Sequence, residues 1–248
     1  MIAGIVAASP AGSIHQLALL YAPQVLRPAL QSLLGVRNEI RASLRAGLDH
    51  TVAHARLAWW QAECERALAG TSGHPLMRVI DGAARSAGAA IPDLRGLVQA
   101  AAMDLAQAPL EDAVTLEIYC DAALGTLFAA FARLLGADAS AARGVGTALH
   151  ALEWHTAAAT TPVDMVAAES ALVGRLQALA PVQRTALRPL LVWVALARWR
   201  MARALPQPAD TPLTTLRLTM LQNLQAWRAA RSALQGRFLD PPPNGTIA

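Results

Sequence analysis

From Leu26 the apolar residues return every three or four positions, through Leu30, Leu33, Val36 and Ile40 to Leu44. That period places them along one face of an α-helix. The same step recurs from Ala53 through Leu57, Trp60 and Cys64 to Leu68. The composition agrees. Hydrophobic residues make up 54% of the chain and aromatics only 4%, and the excess is mostly Ala and Leu, the strongest helix formers. The expectation is an all-α fold, a single-domain helical bundle whose 248 residues suffice to bury one core.

Breakers and caps divide the pattern. A short helix is expected over 14–21, stopped by Pro23, and a long one begins near Arg27 with Pro28 in its first turn, where the missing N–H is harmless. Asp49 is placed to cap the next, which Gly70 ends. Helices are then expected from Pro75 to Ala87 and from Pro92 to Gln107, and a longer one from Leu110 to Leu135. This last is apolar on nearly every side in its second half, as a central element is. Three more are expected at 140–155, 163–179 and 181–204, the last kinked at Pro189, and a fourth at 211–234, after a connection at 206–212. Residues 1–13 are expected to be a poorly ordered lead, 14–234 the helical domain, and 235–248, with Pro241, Pro242 and Pro243, a disordered tail.

Charge and hydropathy narrow the function classes. All 21 basic residues are arginines, the net charge is +4 and the pI about 10.0. Only Arg198, Arg200 and Arg203 cluster, without the aromatic-interleaved basic face that follows a phosphate backbone, so nucleic acid is not the expected partner. The first 26 residues hold no charged side chain. Pro10, Gly12 and Pro23 interrupt them with no basic segment in front, which argues against a signal peptide. The uncharged apolar stretches 122–132 and 189–197 fall short of the roughly 20 residues of a membrane span. A cytoplasmic protein is expected, with peripheral contact at an inner membrane surface compatible with arginine-decorated amphipathic helices and a positive mean hydropathy. Cys64 and Cys120 read as reduced core thiols.

Several constellations invite chemistry. His50 and His54 stand one helical turn apart beside Asp49, a spacing two imidazoles use to share a metal, but no third ligand accompanies them and a solvated face explains them better. His150, Glu153 and His155 gather near a helix end without a positioned nucleophile. Gly144 and Gly146 lack the preceding strand and the lysine of a phosphate loop, and read as a close helix contact. Of the adjacent Trp59 and Trp60, about 100° apart on a helix, Trp60 is expected to face inward.

Four stretches together carry a resemblance. Leu57, Trp59, Trp60 and Glu63 followed by Gly73-His74-Pro75-Leu76 form the first. Asp104 and Leu105 form the second, and Leu116, Tyr119, Cys120, Gly125 and Thr126 the third. Thr161-Pro162 with Asp164 forms the fourth. In order and spacing they resemble the squalene/phytoene synthase family. Tyr21, Pro23, Arg27, Pro28, Asn38 and Glu39 resemble its entry helix, and 188–191 and 224–228 its last two, so the likeness runs over about 14–234. The resemblance implies the isoprenoid synthase fold, prenyl diphosphate substrates and two aspartate-rich motifs that hold Mg²⁺ on the departing diphosphate.

The departures fall on those motifs. The first aligns on Asn38, Glu39 and Ala42, where the active pattern has two adjacent aspartates and a third three residues on. The second aligns near Ala157 and Thr161, with no carboxylate between Glu153 and Asp164. The expectation is therefore no catalytic residue, no metal ligand and no cofactor. Trp60, Asp104, Tyr119 and Gly146 would line the bundle's cavity, and the chain would bind an isoprenoid or lipid, or serve a protein partner as an assembly or interaction factor, as catalytically silent members of the family do. The alternative is an active transferase condensing two prenyl diphosphates, with Mg²⁺ held by divergent ligands such as Glu39 and Asp104.

Overall fold

The computed structural model describes residues 13–45, 47–202 and 212–235. The expected leading segment before residue 13, the connection at 206–211 and the tail beyond 235 lie outside them. The described residues are helical, with no strand among them.

Helix α1 spans Ile14–Leu19 and opens on Ser13, whose hydroxyl accepts from the Gln16 N–H at 3.2 Å. Helix α2, Arg27–Arg41, starts with Pro28 in its first turn and tightens into a 3₁₀ turn at Ala42–Leu44. Asp49 caps α3, His50–Leu68, by accepting from the N–H groups of Thr51 and Val52. Helices α4, Pro75–Ser86, and α5, Arg95–Leu105, follow. Within α3 the buried positions are Ala53, Leu57, Trp60, Glu63, Cys64 and Ala67, while Leu68 is 38% exposed. Repeated steps of four drift about 40° each around a helix of 3.6 residues per turn, so the inward stripe must return by a step of three.

The long helix expected over 110–135 begins later and is not uniform. Asp112 accepts from the Thr115 N–H at 2.8 Å, which fixes the start of α6, Ala113–Cys120. A π-helical turn at Asp121–Gly125 then leads into α7, Thr126–Leu134, with the Thr126 N–H reaching back to the Asp121 carbonyl. Gly136, at φ 68, closes the run in the left-handed conformation that suits glycine. By length and composition the run Ala113–Leu134 could cross a bilayer, although Glu117 and Asp121 break it into shorter uncharged stretches. More than half of it is buried inside the bundle, as befits a core helix.

Around this axis pack α2, α5 and α8, Ala139–Ala157, and outside them α9, Pro162–Gln177. The expected helix over 181–204 is two, α10, Pro181–Ala186, and α11, Arg188–Ala202. Pro189 has no N–H for the carbonyl four residues back, so the ladder breaks beside it rather than merely bending. Helix α12, Pro212–Gln235, lies against α10, α11 and α1. One hydrophobic cluster runs from Ile14 to Ala230, with Phe128 and Phe131 set edge-on to Trp193 at its centre.

Glycines permit the tightest contacts of the axis. A Cβ on Gly146 would stand 2.5 Å from the Leu124 carbonyl oxygen, and one on Gly96 would stand 2.1 Å from the Thr126 hydroxyl. Helices α8 and α5 thus close onto the π turn from two sides. The Gly144 and Gly146 pair is a helix contact, as its sequence setting implied: Gly144 lies beside Arg175 of α9.

Candidate functional site

The two positions that align with aspartate-rich motifs are occupied with local structure. Asn38 and Glu39 lie exposed near the end of α2 and Ala42 in the 3₁₀ turn beyond it. The Glu39 carboxylate stands 3.3 Å from Nε2 of His74. At the other position Ala157 ends α8, and Thr161 caps α9. The Thr161 hydroxyl donates to Asp164 at 2.7 Å and accepts from the Asp164 N–H at 3.3 Å. Next to them Nδ1 of His155 lies 2.9 Å from the Thr160 hydroxyl, and Thr156 donates to the Leu152 carbonyl.

His74 is delivered to Glu39 by a buried latch. Glu63 on α3 is 1% exposed. Its carboxylate accepts from the Ser72 hydroxyl, from the His74 backbone N–H at 2.8 Å and from Nε of Arg66 at 2.9 Å. Burial opposes the charge on Glu63, but these three donors outweigh it and hold the carboxyl below its ordinary range. The imidazole of His74 then lies 4.9 Å from the Trp60 ring and 6.0 Å from Trp59, centre to centre. The Trp-Trp and His-Pro stretches are therefore one structural unit, tying the α3 face to the start of α4.

On the other side of α2 lies a pocket of about 30 Å³. Its walls are Arg37 and Arg41 from α2, Leu97, Ala100, Ala101 and Asp104 from α5, Tyr119 from α6, Ala123 and Leu124 from the π turn, and His150 from α8. Asp104 and Tyr119 stand side by side in these walls, joined by a hydrogen bond from the phenol to Oδ1 of Asp104 at 2.9 Å. Trp60 and Gly146 are not among these walls: the indole packs against His74, and Gly146 faces Leu124 and Phe128. Tyr119 stacks on His150 at 5.5 Å, and Nδ1 of His150 lies 3.1 Å from Glu153. Burial and the bond to Asp104 push the Tyr119 phenol up to about 12. Burial, aided by the neighbouring Arg41 charge, brings the Arg37 guanidinium down to about 10.

The sequence profile of the family described as squalene/phytoene synthase matches residues 11–160, more than half of the chain. The chain belongs to the squalene/phytoene synthase family. No curated protein and no solved structure matches it. The family match takes in α1 to α8, hence both walls of the pocket and Ala157, and stops one residue before Thr161.

In this family member the other candidates resolve into structure. His50 and His54 place their Nε2 atoms 3.0 Å apart on the exposed start of α3. No group of three or more His, Cys, Asp or Glu side chains suited to a metal occurs among the described residues. Cys64 and Cys120 are buried and free, and burial pushes both thiols up to about 12, far from thiolate chemistry. The site residues that the sequence reading passed over are Arg37 and Arg41. Their signal was their spacing, four residues apart on either side of Asn38 and Glu39.

Proposed function

We propose that this family member binds rather than transforms: it keeps the bundle as an interaction scaffold and takes the anionic end of an isoprenoid-type ligand, without carrying out prenyl transfer. The observation that carries the reading is the engagement of Glu39 with His74 while Thr161 and Asp164 are spent on capping α9. Ionising an allylic diphosphate requires divalent cations on the leaving group, held by carboxylates from two facing helices. The donor set here does not fit that clamp. Its one acidic residue at the first position is turned onto an imidazole, and alanine and threonine stand at the second. Each missing metal removes several kcal/mol of transition-state stabilisation, about a factor of ten in rate per 1.4 kcal/mol.

The pocket also favours a head-group mode. At about 30 Å³ it has room for little more than one water molecule, whereas pockets that enclose a drug-sized ligand measure about 300–1,000 Å³. An isoprenoid tail would have to lie outside it, which suits an assembly or interaction role better than a buried-substrate one.

The alternative of an active transferase draws on one feature, Asp104 in the same pocket as two arginines. Purified protein incubated with farnesyl or geranylgeranyl diphosphate and Mg²⁺ separates the two readings. No condensation product is expected, and Glu39→Ala should leave the thermal midpoint in magnesium unchanged. Magnesium-dependent product formation would establish the transferase and end the proposal. Solvent extraction of the native protein followed by mass spectrometry identifies any carried isoprenoid.

A further inference from the structure

We infer that the outer face of α12 docks on an anionic lipid surface. Charge is divided unevenly along the chain. Residues 1–169 carry 11 arginines against 15 carboxylates, a net −4, whereas residues 170–248 carry 10 arginines against two carboxylates, a net +8. Helices α10, α11 and α12 contain no Asp or Glu at all. This basic portion lies beyond residue 160, where the family match ends.

Helix α12 packs against α11, α10 and α1 and buries Gln222, Ala226, Ala229 and Ala230. At about 100° per residue, Leu224, Trp227, Arg228 and Arg231 fall on the opposite side, and all four are exposed. A leucine at 42% and an indole at 51% exposure are thus held in water on the face turned away from the core. The Arg231 guanidinium stands 5.6 Å from the centre of the Trp227 ring. Val182 of α10, the short helix that packs against α12, is 73% exposed as well.

An indole, a leucine and two arginines on one stripe suit the headgroup level of a bilayer. The ring and the leucine enter the boundary of the acyl chains, while the guanidiniums reach lipid phosphates from the ends of their apolar stems. A negatively charged headgroup layer attracts such arginines and meets no carboxylate on these three helices. A nucleic-acid backbone would satisfy the arginines but leave Leu224 and Val182 in water. Other arginines of the region are engaged within the bundle: Arg198 pairs with Glu169, Arg184 donates to the Gln177 carbonyl and Arg188 lies over the Tyr21 ring. The docking contacts therefore rest on Arg228 and Arg231, and the remaining positive charge adds a longer-range attraction.

The test is co-sedimentation of the full chain with vesicles of phosphatidylcholine containing phosphatidylglycerol, against vesicles of phosphatidylcholine alone. Binding is expected to the anionic vesicles only, and to weaken as salt is raised. Replacing both Arg228→Gln and Arg231→Gln should weaken it by at least about tenfold, and Trp227→Ala should weaken it several-fold. These side chains are exposed, so both variants should keep the wild-type thermal midpoint. Trp59 is the matched control: it is 47% exposed and has Arg66 at 6.0 Å, but it lies on α3 beside Glu63 and Glu65. Trp59→Ala should bind anionic vesicles as the wild type does. Equal binding to neutral vesicles, or anionic binding that the α12 variants leave undiminished or that Trp59→Ala weakens as much as Trp227→Ala, overturns the face. So does a wild type that ignores both kinds of vesicle, the result expected if a soluble acidic protein or residues 1–12 of this chain cover α12.

Discussion

Trp60 is 3% exposed and sits between Leu57 and Cys64 on the buried face of α3, its ring against that of His74. Removing an indole from such a position deletes a large apolar contact and leaves a void that a close-packed bundle fills only in part. Trp60→Ala should cost about 3–5 kcal/mol, measured as a shift in the urea midpoint at constant slope; a midpoint within error of wild type would show that the indole contributes little to the core. Its neighbour Trp59 is 47% exposed, so the same truncation there should cost far less. Sequence reasoning settled this facing from the helical step alone. It did not find the role of Glu63, because an acidic residue in an amphipathic helix reads as solvated until the chain folds back and brings Ser72 and the His74 N–H onto it.

The π turn at Asp121–Gly125 is the element that most departs from what periodicity forecasts. One extra residue per turn does not change which residues are apolar, so a run such as 113–134 looks like uninterrupted α-helix in the sequence. What the turn does change is the backbone that neighbours meet. Gly146 of α8 approaches the Leu124 carbonyl where an added Cβ would lie at 2.5 Å, against backbone that cannot rotate away. Gly146→Ala should therefore destabilise by about 1–3 kcal/mol, despite alanine's better helix propensity. Gly174 on α9 is the matched control: nothing lies within 4 Å of its added Cβ, and Gly174→Ala should stabilise by up to about 1 kcal/mol. Thermal denaturation of the two variants side by side checks both signs, and a stabilised Gly146→Ala would mean that α8 sits farther from the turn. The helices themselves were legible because capping and breaking residues are local signals. The split at Pro189 and the pocket were not, since the former depends on how two helices dock and the latter on five separate segments converging.

At the scale of the molecule, acid should weaken the fold in two stages with different causes. His15 of α1 lies 4.3 Å from the Trp193 ring at the junction of α1 and α11. Burial, with the charges of Arg37 and Arg200, lowers its pKa to about 3. The folded state therefore holds this imidazole neutral through the range in which the unfolded chain protonates it, near 6.5. Below that value the unfolded state binds the extra proton, and by linkage stability falls with pH by at most about 1.4 kcal/mol per unit until the folded group titrates as well. Glu63 is shifted in the same direction but from a lower starting point: its carboxyl is held low in the fold, so its contribution persists down to the ordinary carboxylate range and is lost only below it. A decline that starts near pH 6.5 thus belongs to His15, and a steeper one below about pH 4 belongs to Glu63 and the other hydrogen-bonded acids. Urea midpoints between pH 7.5 and 4.5 should drop steadily for the wild type, and His15→Leu should flatten the profile above pH 4.5, because a leucine against Trp193 has no proton to gain. An unchanged slope in that variant would place the proton uptake elsewhere. The same charge joins the two regions: Arg37, one of the cations that keep His15 neutral, also lines the pocket between α2, α5 and α8.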